Sequence, residues 1–230
     1  MVNANTRAAR AIALGLRERA ELCAAMVIYE RATKVKGFFG PDDAMHFSLA
    51  LGLQQWLGIS GDILEIGSYF GRSSGFLANY VRQGERLVVC DTFERETPDK
   101  YPARPTVPIL KNNIIAIAPD FRLTALMIHD CFSRDMVLGE KERFRCIHVD
   151  GGHSHAEALG DLRIAVDHLL PGGLLIVDDY KHAIWPEVTA AVDEFLRSRS
   201  DLSVAASMNR WTAIGQKLYL VKRIQGSRQF

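Results

Sequence analysis

Leu64-Glu65-Ile66-Gly67-Ser68-Tyr69-Phe70-Gly71-Arg72-Ser73 reads as a short apolar strand that closes on an acid, turns on two glycines and enters a helix. Glycine lets a backbone turn tightly and approach a ligand closely, so this junction marks both a fold and a binding surface. The spacing is E-x-G-x-x-x-G, not the G-x-G-x-x-G of dinucleotide sites. It favours a neutral or zwitterionic nucleoside over a pyrophosphate and disfavours a nicotinamide oxidoreductase.

Outward from Asp62–Ile66, apolar runs recur at Arg86–Cys90, Ala125–His129, Arg143–Val149 and Leu174–Val177. Helical stretches separate them at Ser73–Gln83, about Val107–Ile117, a short one near Arg134–Glu140, and Ser154–Leu169. Apolar strands alternating with helices belong to a parallel sheet covered on both faces. Ser154 and Glu157 form a capping box, Leu159, Leu162, Val166 and Leu169 supply a buried stripe, and Pro171-Gly172-Gly173 is the expected stop. A helix from Pro186 follows, and Leu202–Ala206 with Lys217–Val221 read as a final antiparallel edge pair. Upstream lie a helix over about Arg7–Lys34 and a second starting at Pro41-Asp42-Asp43, along which Met45, Leu49, Leu53 and Trp56 recur at helical spacing. The expected architecture is doubly wound α/β: a mostly parallel, seven-stranded, Rossmann-like sheet with an antiparallel edge strand and an N-terminal helical addition. One domain spans 1–230, with a helical cap over 1–58 and the core over 59–223.

Composition narrows the class. Among 230 residues, 48% are hydrophobic and 24% charged, which excludes collagen, disordered and disulfide-scaffold chains. Lys plus Arg number 28 against 27 Asp plus Glu, so no whole-chain pull towards nucleic acid or an anionic membrane exists. Cys23, Cys90, Cys131 and Cys146 show neither CxxC pairing nor zinc spacing. No apolar run reaches the ~20 residues that cross a bilayer, and the N-terminus lacks a secretion signal's unbroken apolar core. A cytoplasmic protein acting on a small molecule is expected; its amphipathic N-terminus packs internally or forms a homodimer contact.

Three acids end successive strands. Glu65 is an acceptor suited to a cationic amino group, directly or through water. Asp91, 24 residues after Gly67, matches the acid that takes ribose hydroxyls in open α/β sheets. Asp130 can accept from an adenine amino group. A second set follows: Asp150 ends the fourth strand, and Asp178 and Asp179, 28 and 29 residues later, end the fifth. Neighbouring strands lie about 4.8 Å apart, so three carboxylates would converge, repel and raise one another's pKa. A divalent cation is the simplest neutraliser; all-oxygen ligands suit Mg²⁺, with Mn²⁺ or Ca²⁺ as substitutes. The bland alternative is that Asp178 and Asp179 cap a turn and Asp150 bonds the following helix start.

His153, three past Asp150, and His182, three past Asp179, are the competing general bases, with Lys181 a weaker third. A histidine with pKa near ~6.5 can take a hydroxyl proton at neutral pH, although packing or helix capping is the default role. His129, His148, His155 and His168 read as structural, and His46 stays open as a pocket-lining residue. Tyr180, Trp185 and the proline-rich stretch Glu94–Pro108 are the expected substrate wall.

On these residues the chain resembles the class I S-adenosylmethionine-dependent methyltransferases over about 40–223. It is nearest the branch carrying D-G-x-H-x-x-x-x-x-x-D-L, here Asp150-Gly151-Gly152-His153 through Asp161-Leu162. That branch holds sugar O-methyltransferases of antibiotic biosynthesis and cephalosporin-modifying relatives. The resemblance implies that Glu65, Asp91 and Asp130 serve the methionine amino group, ribose and adenine. Gly67, Ser68, Gly71, Arg72, Ser73, Thr92, Cys131 and Asp150 complete the cofactor site. The spacing of Asp150, Asp178 and Asp179 is similar to the metal ligands of catechol O-methyltransferases and of metal-dependent sugar methyltransferases. A lysine stands at the offset of His153 in the catechol type, and Gly152 removes the acid that serves as base in the aminocoumarin-sugar type. The implied reaction is S-adenosylmethionine-dependent, metal-assisted O-methylation of a small-molecule hydroxyl. Metal-independent N- or C-methylation and a non-catalytic nucleoside-binding subunit are the alternatives.

Overall fold

The computed structural model describes residues 20, 22–97, 103–140, 142–210 and 214–224. Its sheet runs β3-β2-β1-β4-β5-β7-β6. The strands are β1 Asp62–Ile66, β2 Leu87–Asp91, β3 Leu126–Asp130, β4 Phe144–Val149, β5 Leu169–Tyr180, β6 Leu202–Asn209 and β7 Gln216–Lys222. The first five are parallel; β7 is antiparallel to β5 and β6 and lies between them, leaving β6 outermost. The helices are α1 (22–32), α2 Pro41–Trp56, α3 Arg72–Ala78, α4 Val107–Ile117, α5 His155–His168 and α6 Pro186–Arg197.

Successive strand residues face opposite sides of a sheet, so one apolar strand feeds two cores. From β1, Leu64 and Ile66 pack with Leu162 and Val166 of α5 and Val192 and Phe195 of α6. Ile63 points the other way, against Phe47 and Leu51 of α2, Phe76 of α3 and Leu110 and Ile114 of α4. Each such side chain contributes roughly 1.5–3 kcal/mol on full burial, which is why near-continuous apolar strands need helices on both faces. Strand order reverses beside β1, between β2 and β4. Open α/β sheets bind ligands in the crevice there, beyond the strands' carboxyl ends.

Several expectations need correction. The helical spacing of Met45, Leu49, Leu53 and Trp56 marks the outer face of α2, not the one that packs: Leu49, Leu53 and Trp56 are exposed, whereas Asp43, Ala44, Phe47, Ser48 and Leu51 are buried. α3 ends at Ala78, not near Gln83, and only a 3₁₀ turn over Ser133–Asp135 forms where a helix to Glu140 is expected. Pro171-Gly172-Gly173 does not stop α5, which has already ended at His168; the triplet lies within β5. The Ser154 box is formed: Ser154 Oγ accepts from Glu157 N at 3.3 Å, and Glu157 Oε2 accepts from Ser154 N at 3.4 Å. The start of the first helix lies outside the described residues, as do residues 98–102 of the proline-rich stretch. Among the described residues no helix is long and apolar enough to cross a membrane, and all four cysteines are free thiols.

Candidate active site

Gly67 sits at the reversal point with φ +84°, and a Cβ there would lie 1.8 Å from the carbonyl oxygen of Asp150. The strand ends are stitched together at this point, since Asp150 N donates to Ile66 O at 2.8 Å. Gly71, also at φ +84°, starts α3 and lets Leu110 pack where a Cβ would stand.

Two cavities open here. The first, about 270 Å³, runs over the ends of β1–β4, past Gly67, Asp91, Thr92 and Cys131 to Asp150 and Asp161. The second, about 300 Å³, lies under the N-terminal cap. Phe38, Ser68, Arg72, Ser73, His153, Asp178, Asp179, His182, Trp185, Arg210 and Lys217 contribute to its wall. Gly67, Tyr69 and Asp150 line both, so the cavities meet at the Asp150 carboxylate.

The three strand-ending acids have separate fates. Asp91 reaches the first cavity; its Oδ2 accepts from Ser68 N (2.7 Å), Ser68 Oγ (3.0 Å) and Tyr69 N (2.7 Å), and its Oδ1 from Phe93 N (3.1 Å). Glu65 does not reach a cavity. It lies on the β1 face that α2 and α3 cover, fully buried, with Ser74 donating to Oε2 and His148 Nδ1 2.9 Å from Oε1. Asp130 does not either: its side chain is 46% exposed and ion-paired with Arg95, and Cys131–Arg134 line the cavity in its stead. Arg72 turns back to tie down the cap, its Nε donating to Val35 O at 2.6 Å.

Asp150, Asp178 and Asp179 do gather at one rim, but the expectation of unpaired carboxylates needs correction. Asp178 is buried and fully engaged. Lys217 donates to Oδ2, and Arg210 Nη1 (3.0 Å) and the Asp179 amide (2.8 Å) donate to Oδ1. Burial alone would push its pKa up, yet the Lys217 and Arg210 charges hold it well below the usual carboxylate range. The charges of Asp178 and Asp43 in turn keep Lys217 and Arg210 protonated against their burial. Asp43 joins the cluster, receiving Arg210 Nη2 at 3.1 Å and the Gly40 amide at 2.8 Å. A polar chain thus crosses the sheet from Ser74 through Glu65, His148 (Nε2 3.3 Å from Lys217 Nζ), Lys217 and Asp178 to Arg210 and Asp43.

This donor set does not fit a divalent ion. His148, Asp150 and Asp178 bring one potential ligand atom each within 4.8 Å of the others. His148, however, has its two nitrogens against Glu65 and Lys217, and both Asp178 oxygens already accept hydrogen bonds, Oδ2 from Lys217 and Oδ1 from Arg210 and the Asp179 amide. A dication about 4 Å from the Lys217 ammonium would meet repulsion on the order of 8 kcal/mol at an effective dielectric of 20, which cancels the attraction of one carboxylate at the same distance. Asp150 alone remains open to both cavities, and among the described residues no hydrogen bond reaches its carboxylate. Burial first, then the Asp178 charge, pushes its pKa up to about 7.

His153 and Asp179 form a pair, with Nε2 3.1 Å from Oδ2. Asp179 has φ +56° and Lys181 φ +54°, conformations non-glycine residues seldom adopt; this sharp turn after β5 swings the carboxylate over to His153. Trp185 stacks on the imidazole at 4.2 Å between centroids. His182 lies farther off, 4.0 Å from Asp179 Oδ1, with Nδ1 accepting from Ile184 N. Lys181 places its ammonium over the Tyr180 ring, whose hydroxyl donates to Asp193, so neither residue forms the wall. His46 meets Tyr219 edge-on and lines neither cavity. Thr97, Arg104 and Pro105 line the first cavity, not the second.

Sequence reasoning names Asp161 within a motif and Asp43 at a helix start but assigns no site role to them, to Lys217 or to Arg210. Asp161 is buried at the first cavity, its Oδ1 lacking a partner, and burial pushes its pKa up to about 7. The available signals were a lysine opening an otherwise apolar strand and an acid inside an apolar helix stripe.

A methyltransferase-domain family matches residues 64–180, half of the chain. Among solved structures, the O-methyltransferase from Bacillus cereus in complex with S-adenosylhomocysteine is similar at TM-score 0.59 and 16% identity, covering 89% of this chain and 91% of that one. TomG from Streptomyces achromogenes, an O-methyltransferase of tomaymycin synthesis in complex with S-adenosylmethionine, gives 0.55 and 19%, covering 78% and 80%. CalS11, a TDP-rhamnose 3′-O-methyltransferase of calicheamicin biosynthesis, gives 0.57 and 20%, covering 82% of each chain. No curated protein matches the chain.

Proposed function

The chain belongs to this family of class I, S-adenosylmethionine-dependent methyltransferases, and from that membership we propose that it methylates a hydroxyl of a small molecule, a sugar or a natural-product intermediate. The observation that carries the reading is the meeting of two cavities at Asp150, one at the nucleoside-binding end of the fold and the other holding a histidine–carboxylate pair.

The first cavity fits the cofactor. Gly67 admits a close backbone approach, Asp91 stands where ribose hydroxyls are taken, and Asp161 offers a buried oxygen without a partner. Bound there, S-adenosylmethionine supplies a methyl group on a positively charged sulfur, and the Asp150 carboxylate at the junction suits the cationic end of such a ligand.

The acceptor then lies in the second cavity, between Phe38, Tyr69 and Trp185. His153 removes the hydroxyl proton, and Asp179 orients the imidazole and stabilises its charged form. Trp185, stacked on His153, limits ring rotation and keeps water from that side. The ammonium of Lys217 and the guanidinium of Arg210, fixed by buried acids, lend positive potential to oxygen as it loses its proton. CalS11 makes a nucleotide-sugar hydroxyl the first acceptor class to try.

The test is calorimetric binding of S-adenosylhomocysteine, followed by turnover on a panel of nucleotide sugars and phenolic intermediates. Saturable binding and O-methylated product are the expected results. A protein that binds no S-adenosylhomocysteine overturns the proposal.

A further inference from the structure

We infer that Lys217 and Arg210 stand in for the divalent cation around which Asp150, Asp178 and Asp179 would otherwise gather, so that the rim of β4 and β5 works without metal. The inference deepens the reading of the second cavity as the acceptor site and rests on it.

Topology fixes the substitution. β7 runs antiparallel beside β5, and the pairing of Val177 with Leu218 brings the next residue of β5 and the preceding one of β7, Asp178 and Lys217, together. The Lys217 side chain is 1% exposed and contacts Asp178, with Asp43 Oδ1 at 3.9 Å. Arg210, in the connection after β6, reaches Asp178 at 3.0 Å and Asp43 at 3.1 Å from two separate nitrogens. Both cations line the acceptor cavity. They therefore do two things expected of a metal in such a place: they neutralise converging carboxylates and they hold positive charge beside the reacting oxygen. Unlike a bound ion, they are covalently part of the sheet, so their field is present before any ligand arrives.

The experiment is a Mn²⁺ titration of the ligand-free protein, read by electron paramagnetic resonance, with S-adenosylhomocysteine calorimetry on the same preparation. The expected result is full S-adenosylhomocysteine binding, no saturable Mn²⁺ site, and a Tm unchanged by EDTA. One equivalent of Mn²⁺ bound at submillimolar affinity, displaced by EDTA, overturns the inference while leaving the methyltransferase reading intact. Loss of S-adenosylhomocysteine binding instead counts against that reading alone. Lys217→Met should lower Tm by about 10 °C, because it strands buried carboxylates. Added Mg²⁺ or Mn²⁺ should then restore part of the loss reversibly, as the released acids accept an ion. Lys217→Arg keeps the charge and should stay indifferent to both ions. A folded Lys217→Met protein equally indifferent would refute the exchange of ion for ammonium; if that variant fails to fold, the wild-type titration decides.

Discussion

Asp91 at the end of β2 holds Ser68 of the neighbouring β1 loop by both its amide and its hydroxyl, at 2.7 and 3.0 Å on a single carboxylate oxygen. The same oxygen takes the Tyr69 amide at 2.7 Å, so this one acid shapes the glycine turn that opens the first cavity. Asp91→Asn would set an amide against those donors. Hydrogen bonds to a charged acceptor are worth about 1.5–3 kcal/mol, so S-adenosylhomocysteine affinity should fall ~10- to 100-fold by calorimetry. Unchanged affinity would mean that the turn does not depend on Asp91.

His153→Ala should leave S-adenosylhomocysteine binding within a factor of about two and cut kcat by ~10²–10⁴, the usual contribution of a positioned base. Asp179→Asn keeps the shape but removes the partner charge 3.1 Å from the imidazole, and should shift the pH–rate profile as well as its height. His182→Ala should affect KM more than kcat. If it, and not His153→Ala, abolishes turnover, the two histidines exchange roles.

Asp161 gives a pH dependence with a definite sign. Burial raises its pKa to about 7 in the folded state from an ordinary 3.8. A carboxyl raised on folding stabilises the native state most below its unfolded pKa, and that contribution is lost as pH climbs through the folded value. Native stability should therefore carry a falling component between about pH 4 and 7 that Asp161→Asn lacks, on the order of a few kcal/mol at most, and Tm should fall with it. Scanning calorimetry of both proteins from pH 4 to 8 isolates it. Parallel curves would show Asp161 titrating normally.

Gly67→Ala should not give a folded protein. The added carbon would sit 1.8 Å from a backbone oxygen, on a residue at φ +84°, and neither strand end can retreat. Soluble expression and circular dichroism are sufficient readouts. A Tm near the native value would contradict the packing at the β1–β4 junction.

How far the sequence could be read depended on what each residue's neighbours were. β1 to β4 were legible because their apolar runs and helix starts are local signals, and Ser154 with Glu157 marks α5 unaided. The α2 stripe misled because Met45, Leu49, Leu53 and Trp56 have helical spacing as good as that of the buried Ala44, Phe47 and Leu51. Periodicity finds a face; only the packing says which face is inside. Asp91, Asp150, Asp179 and His153 could be placed at the rim of the two cavities from the sequence because each stands at a strand end or a short offset from one. The counterions were not, since Lys217 and Arg210 follow Asp178 by 39 and 32 residues and meet it only through the β5–β7 pairing. Glu65 stands one residue inside the end of β1, paired with Val89 on the face the helices cover, so it becomes a buried partner for His148, whereas Asp91 is the last residue of β2.

The order in which these charges occur along the polypeptide has a bearing on biosynthesis. Asp43, Asp150 and Asp178 all leave the ribosome before either residue that neutralises them. Until β7 slots in beside β5, a nascent chain carries an acidic, solvated rim that resists closing. Closing the rim of β4 and β5 therefore depends on the pairing of the final strand, the one that carries Lys217.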